Sequence, residues 1–200
     1  MSTRRFSFIG SNTGPWRVTK MEVLAGEPLP AANRLTITPS FDTPAQPQAA
    51  WVLRGITSNE RYVGREEKDQ IVARLLGLGR PETTCGVLIA IRKNEAWWAL
   101  TQDERLSIFY EQSHHTRTGL RYFPELARRL HHCRDLSENE PFDFITWFEH
   151  EPAQATAFNK LVAELRATEE WKYVEREVEI RLVREDTYSP GEAALRSHVL

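Results

Sequence analysis

The chain has 200 residues, 40% hydrophobic and 27% charged, the make-up of a folded protein with one large domain or two small ones sharing a core. A formal net charge of −2 leaves no electrostatic footprint for nucleic acid or an anionic membrane, so a small anionic substrate would need a local positive site. Cys85 and Cys133 do not form a CxxC pair, no apolar run reaches bilayer length, and the opening MSTRRFSFIGSNTG lacks the apolar stretch of a secretory signal; neither a zinc motif nor a disulfide framework is expected, and a cytoplasmic location is.

The N-terminal third reads as short β-leaning runs at 5–9, 16–24 and 34–37, broken by Gly, Pro and Asn. Residues 39–47 (PSFDTPAQP) read as a loop, 50–56 as a strand, and 65–76 as a helix with Ile71, Leu75 and Leu76 inward. Residues 86–92 (GVLIAIR) are a buried strand. Thr101, with Glu104 three residues on, is a capping box that starts a helix running to about His115. Residues 126–132 and 142–149 read as strands joined by a polar turn at 135–141. Pro152 sits near the first turn of a helix in which Phe158, Leu161, Val162 and Leu165 recur at helical spacing. In 175–183, Val178, Ile180 and Leu182 alternate with Glu177, Glu179 and Arg181. The tail after Arg184 has weak pattern and reads as a short helix or a dimer arm.

The second half therefore runs β-α-β-β-α-β, the ferredoxin-like pattern, and the first half is a shortened, strand-rich partner. The expected class is α+β: two ferredoxin-like halves, 1–80 and 81–185, followed by a tail at 186–200. Their antiparallel sheets would form a barrel or open sandwich with helices outside.

Polar side chains on apolar faces are the informative positions. Alternation in LARRLHH puts Leu126, Arg128, Leu130 and His132 on one face and Arg129 with Ala127 and His131 on the other, so one arginine points in and one out. A buried guanidinium needs an anionic or strongly accepting partner, and a structural ion pair is the plain explanation. Lys93 shares a face with Val87, Ile89 and Ile91, at the rim of an apolar wall, and Trp97 and Trp98 follow. A lysine and an indole N–H at the mouth of an apolar pocket suit an acidic group on a flat hydrophobic ligand; a snorkelling lysine and core tryptophans explain the same residues. Phe144, Thr146 and Phe148 share one face and Ile145 and Trp147 the other, the pattern of a strand covered on both sides. The pair His114–His115 closes the capped helix, where an imidazole is favoured by the helix dipole or could serve as a metal ligand. HExxH, CxxCH, GxGxxG, P-loop and GxSxG motifs are absent from the sequence, which argues against zinc hydrolysis, nucleotide binding and a serine triad.

Five blocks taken together resemble the chlorite dismutases: WVLRGITSNERYV, IRKNEAWWALTQDER, SHHTRTGLRYFPELARRLHHCRDL, DFITWFE and ATEEWKYVEREV, spanning about Trp51 to Arg184. The resemblance implies a homodimeric α+β barrel of the short, cytoplasmic lineage, with one heme b per subunit, that converts chlorite to chloride and dioxygen. It implies His115, followed by Thr116, as the iron ligand, with His114 as the competing neighbour, and Arg128, thirteen positions on, as the catalytic residue over the open iron face. Glu170, before Trp171, corresponds to the acidic partner of the ligand imidazole. Lys93, Trp97 and Tyr62 correspond to residues that hold the heme propionates, and Ile89, Thr146 and Phe148 to pocket-lining positions. The alternatives within reach of the same pattern are a coproheme decarboxylase and a non-catalytic heme-binding barrel.

Overall fold

The computed structural model describes residues 4–41 and 48–185. Part of the expected 39–47 loop and the whole 186–200 tail lie outside the described residues.

Eight strands form where the β-branched and aromatic runs predict them: β1 (Arg5–Ser11), β2 (Trp16–Ala25), β3 (Arg34–Thr38), β4 (Trp51–Thr57), β5 (Cys85–Lys93), β6 (Ala127–His132), β7 (Phe144–His150) and β8 (Val174–Arg184). Every pairing is antiparallel, and the strands close into a barrel in the order β1-β3-β2-β8-β5-β7-β6-β4. Read in two quartets, β4-β1-β3-β2 and β8-β5-β7-β6 repeat one order of neighbours. Of the two expected architectures, the barrel is the one formed.

Alternation sorts the side chains. Leu88, Ala90, Ile145, Trp147, Val178, Ile180 and Leu182 fill the barrel together with Phe8, Leu35 and Leu53 from the first quartet. Trp16 and Trp147 meet edge to face at 4.9 Å, which requires Gly86: a Cβ there would lie 2.4 Å from the Trp147 ring. The opposite face of the second quartet carries Val87, Ile89, Ile91 and Phe148, packed against Phe158, Leu161, Val162 and Leu165 of α5 (Ala155–Arg166). Burying those four α5 side chains contributes about 1.5–3 kcal/mol each, enough to hold the helix on the sheet.

The helices differ from expectation at three places. α1 (Arg65–Arg74) ends two residues early, so Ile71 is buried while Leu76 is exposed rather than inward. After β5 comes the short α2 (Glu95–Ala99), with Asn94 as its cap. The expected helix to His115 is broken. α3 (Gln102–Ser107) has the full Thr101–Glu104 capping box, then the chain widens into a π turn over Ile108–Gln112. His114 takes a left-handed conformation at φ 46°, and α4 (His115–Leu120) begins. No helix among the described residues is long and apolar enough to cross a membrane.

Candidate functional site

The outer face of β5, β7 and β6 does not pack fully against the helices. Its register makes a floor of three rows: Val87–Phe148–Arg128, Ile89–Thr146–Leu130 and Ile91–Phe144–His132. Above it, α4, α5 and the residues that follow β4 enclose a cavity open to solvent, lined by side chains from most of the second half of the chain. One end is apolar, with Phe148, Leu161, Val162 and Leu165. Polar side chains gather at the other: Asn59, Arg61, Tyr62, Trp97 and His132.

All nine residues singled out from the sequence line this one cavity: Tyr62, Ile89, Lys93, Trp97, His115, Arg128, Thr146, Phe148 and Glu170. They come from β5, α2, α4, β6 and β7, the segment after β4 and the turn before β8, separated by up to 108 positions. Tyr62 reaches it from a left-handed backbone at φ 63°, an uncommon conformation for an aromatic residue.

The break before α4 separates the two adjacent histidines. His114 stays exposed, its Nδ1 3.0 Å from the Tyr110 carbonyl, and does not line the cavity. His115, now the first residue of a new helix rather than the last of an old one, stacks on Phe109 at 4.3 Å and sets Nδ1 2.7 Å from Glu170 Oε2. The dipole explanation based on a helix C-terminus therefore does not apply to His115. Glu170 is fully buried. Burial alone would raise its pKa, but the Lys93 charge and His115 outweigh it and hold the carboxyl down at about 2. An ionised carboxylate only accepts, so His115 Nδ1 carries the proton, and a neutral ring keeps its lone pair on Nε2.

Lys93 is not at a rim. It is 4% exposed, and its ammonium donates to Glu170 Oε1 at 2.9 Å and to the Glu170 carbonyl at 3.0 Å. Ser113 fixes the same segment, its Oγ accepting from Glu170 N at 2.9 Å. The lysine is therefore engaged beneath His115, while Trp97, under its ammonium at 4.8 Å, has a buried Nε1 without a partner among the described residues.

The two arginines of β6 separate as alternation requires, but neither points to open solvent. Arg129 turns into the barrel over the Phe6 ring at 4.3 Å, with the Glu149 charge near it. Arg128 turns into the cavity, where its described contact is the Phe123 ring at 5.6 Å; among the described residues it has no hydrogen bond or ion pair. The expected structural ion pair is absent there. Burial lowers its pKa to about 10, which still leaves it charged at neutral pH.

Several site features escape the sequence pattern. Asn59 and Arg61 also line the cavity; Arg61 is ion-paired with Asp135, and Asn59 accepts from Leu130 N at 2.8 Å. His132 lines the floor with a buried, unpartnered Nε2; its place on the Arg128 face was legible, its lack of a partner was not. Glu177 and Glu179 are buried rather than solvated, because Arg166 of α5 bridges them at 2.6 and 2.7 Å and Trp171 donates to Glu177 at 2.9 Å. The cavity-lining Arg166 is thereby neutralised from within.

Comparison with known proteins adds independent findings. A protein-family model for chlorite dismutase matches residues 42–185. A chlorite dismutase of Ideonella dechloratans is 31% identical over 123 residues, 60% of this chain and 40% of that protein; the chain thus spans well under two thirds of that relative. Among solved structures, a dimeric chlorite dismutase from Nitrobacter winogradskyi is 51% identical, covers 90% of this chain and 99% of its own, and superposes with a TM-score of 0.82. A mutant chlorite dismutase from Candidatus Nitrospira defluvii in complex with cyanide shares the fold at 18% identity, with a TM-score of 0.64 and 92% of each chain covered.

Proposed function

The chain belongs to the chlorite dismutase family, and from that premise we propose that it is a heme b-dependent chlorite dismutase, an oxidoreductase that converts chlorite to chloride and dioxygen and so removes chlorite. The observation that carries the reading is a cavity holding both an imidazole oriented by a buried carboxylate and an arginine with no partner of its own among the described residues.

The cavity suits the cofactor. A flat apolar ring with carboxylates on one edge needs an apolar end, a polar mouth and free donors, and the cavity has Leu161, Val162 and Leu165 at one end and the unpartnered Trp97 and His132 nitrogens on its walls. His115 Nε2 would ligate the iron, with Ile89, Thr146 and Phe148 against the ring and Trp97 and Tyr62 toward its carboxylates. When bound, heme b supplies the redox-active iron at which a Cl–O bond breaks and the O–O bond forms.

The protein's part is positional and electrostatic. Glu170 accepts the His115 Nδ1 proton in a hydrogen bond, fixing the ring and raising its basicity, and Lys93 keeps Glu170 ionised. Arg128 holds anionic chlorine species near the site where the bond forms. A guanidinium still charged at neutral pH does this without giving up a proton.

A coproheme decarboxylase would have to hold four carboxylates. Arg166 on the cavity wall is consumed by Glu177 and Glu179, and the family model and the 51%-identical relative are both those of chlorite dismutases, which supports the dismutase reading over it. A non-catalytic barrel would have used Arg128 as a structural ion pair, and no partner for it lies among the described residues.

The same proposal covers the assembly. Its two ferredoxin-like halves, 1–80 and 81–185, are supported by the repeated strand order of the two quartets. A homodimer with one heme per subunit is supported by the dimeric Nitrobacter winogradskyi relative, and a cytoplasmic location by the free thiols of Cys85 and Cys133.

The test is an oxygen-electrode trace on hemin-loaded protein with chlorite. Oxygen release is expected, and its absence, with heme bound, would sink the reading. His115→Ala should weaken heme binding and change its Soret spectrum while His114→Ala does neither; the reverse result moves the ligand by one residue.

A further inference from the structure

The proposed chemistry uses Arg128 but leaves His132, two rows away on the same floor, without a task. On a strand, four residues span roughly 13 Å, so the two side chains cannot grip one small oxyanion. His132 is 1% exposed, and its Nε2 has no partner among the described residues. Burial, then the Arg61 charge, lowers its pKa to about 3, so it is a neutral imidazole at ordinary pH. Its flanks are closed: Phe144 meets it edge-on at 4.6 Å. Asp135, which could have paired with it, is ion-paired to Arg61. A buried nitrogen left unpaired is destabilising, and what can offset it is a group that enters the cavity.

Its position indicates which group. His132 stands in the third row of the floor, two residues beyond the Leu130 that Asn59 holds, and the same cavity holds a second orphaned nitrogen, Trp97 Nε1, beside the Tyr62 ring. Two unpartnered nitrogens at one end of a cavity match a ligand edge bearing two carboxylates. We propose that His132 is a ligand-positioning residue that donates from Nε2–H to a carboxylate of the tetrapyrrole, on the edge where the family resemblance already places Trp97. This rests on the heme reading above.

The experiment titrates wild-type protein, His132→Phe and His132→Gln with hemin and with hemin dimethyl ester, following the Soret band, with circular dichroism as a check on folding. A hydrogen bond to a carboxylate is worth about ten- to a hundredfold in affinity. His132→Phe should therefore weaken hemin by that factor and leave the ester, which has no charged acceptor, within about twofold. His132→Gln, which keeps a donor, should recover most of the hemin affinity. Equal loss of both hemins in His132→Phe, or no loss of either, overturns the assignment while leaving the heme reading standing. Wild-type protein that binds neither hemin overturns both.

Discussion

Arg128 and Arg129 are adjacent on β6, and their surroundings divide the molecule in two. Arg129 belongs to the barrel interior, where Phe6 covers its guanidinium and Glu149 supplies opposite charge. There the Trp147 indole donates to Glu149 at 2.9 Å, while His131, held edge-on between Phe6 and Phe8, keeps an unpartnered Nε2 among the described residues. Arg128 belongs to the outer cavity, where it, Trp97 Nε1 and His132 Nε2 lack hydrogen-bond partners among the described residues. The physical lesson concerns satisfaction rather than polarity. Polar groups paired within the fold support its stability, whereas unpaired ones on a cavity wall are arranged for something the fold does not contain.

If the two regions divide the work this way, substitutions should separate stability from binding. The largest effect is expected inside. Trp147→Ala removes a fully buried ring packed on Trp16 and should cost about 3–5 kcal/mol in urea unfolding; a loss below about 1 kcal/mol would mean the interior collapses around the gap. In the cavity the pattern should invert. Arg128→Leu removes a desolvated, unpartnered cation, so unfolding should be unchanged or easier to resist by up to about 1 kcal/mol. Oxygen release from chlorite should meanwhile fall at least roughly tenfold and heme should bleach sooner. Unchanged turnover and durability would remove Arg128 from the mechanism.

His131 tests the interior by pH. Burial, followed by the Arg129 charge, lowers its pKa to about 3 from an ordinary value near 6.5. The unfolded chain therefore binds the proton first. Stability from this group is complete above pH 6.5 and declines by about 1.4 kcal/mol per pH unit below it, until the folded form protonates near 3. His131→Phe should flatten unfolding free energy against pH by that slope between pH 6 and 4, relative to wild type. Parallel curves would show that the imidazole titrates freely. The smallest effect is expected at a place in neither region: Thr101→Ala, which breaks the exposed capping box, should cost about 1 kcal/mol without changing hemin affinity.

The strands were legible because alternation is a local signal. Ile145 and Trp147 had to face away from Phe144 and Phe148, and the barrel obeys. The helix break was not legible, because nothing in IFYEQSHH announces a π turn followed by a left-handed histidine. Family resemblance chose His115 over His114, and the backbone supplies the physical difference between them. Lys93 was misjudged as a rim residue because its partner, Glu170, lies 77 positions away. The burial of Glu177 and Glu179 was hidden for the same reason: their neutralising Arg166 sits on a different element. Pairings across long sequence separations leave no periodic trace.

Closure of the barrel has a consequence for how copies of the chain can meet. Each of the eight strands has a neighbour on both sides, though β4 meets β6 at only two registered pairs and β2 meets β3 at two. Closure thus leaves no strand with a whole side unpaired, and long ladder extension by a second copy is disfavoured. Self-association then rests mainly on side chains, where a single surface charge can tune it without disturbing a backbone hydrogen bond.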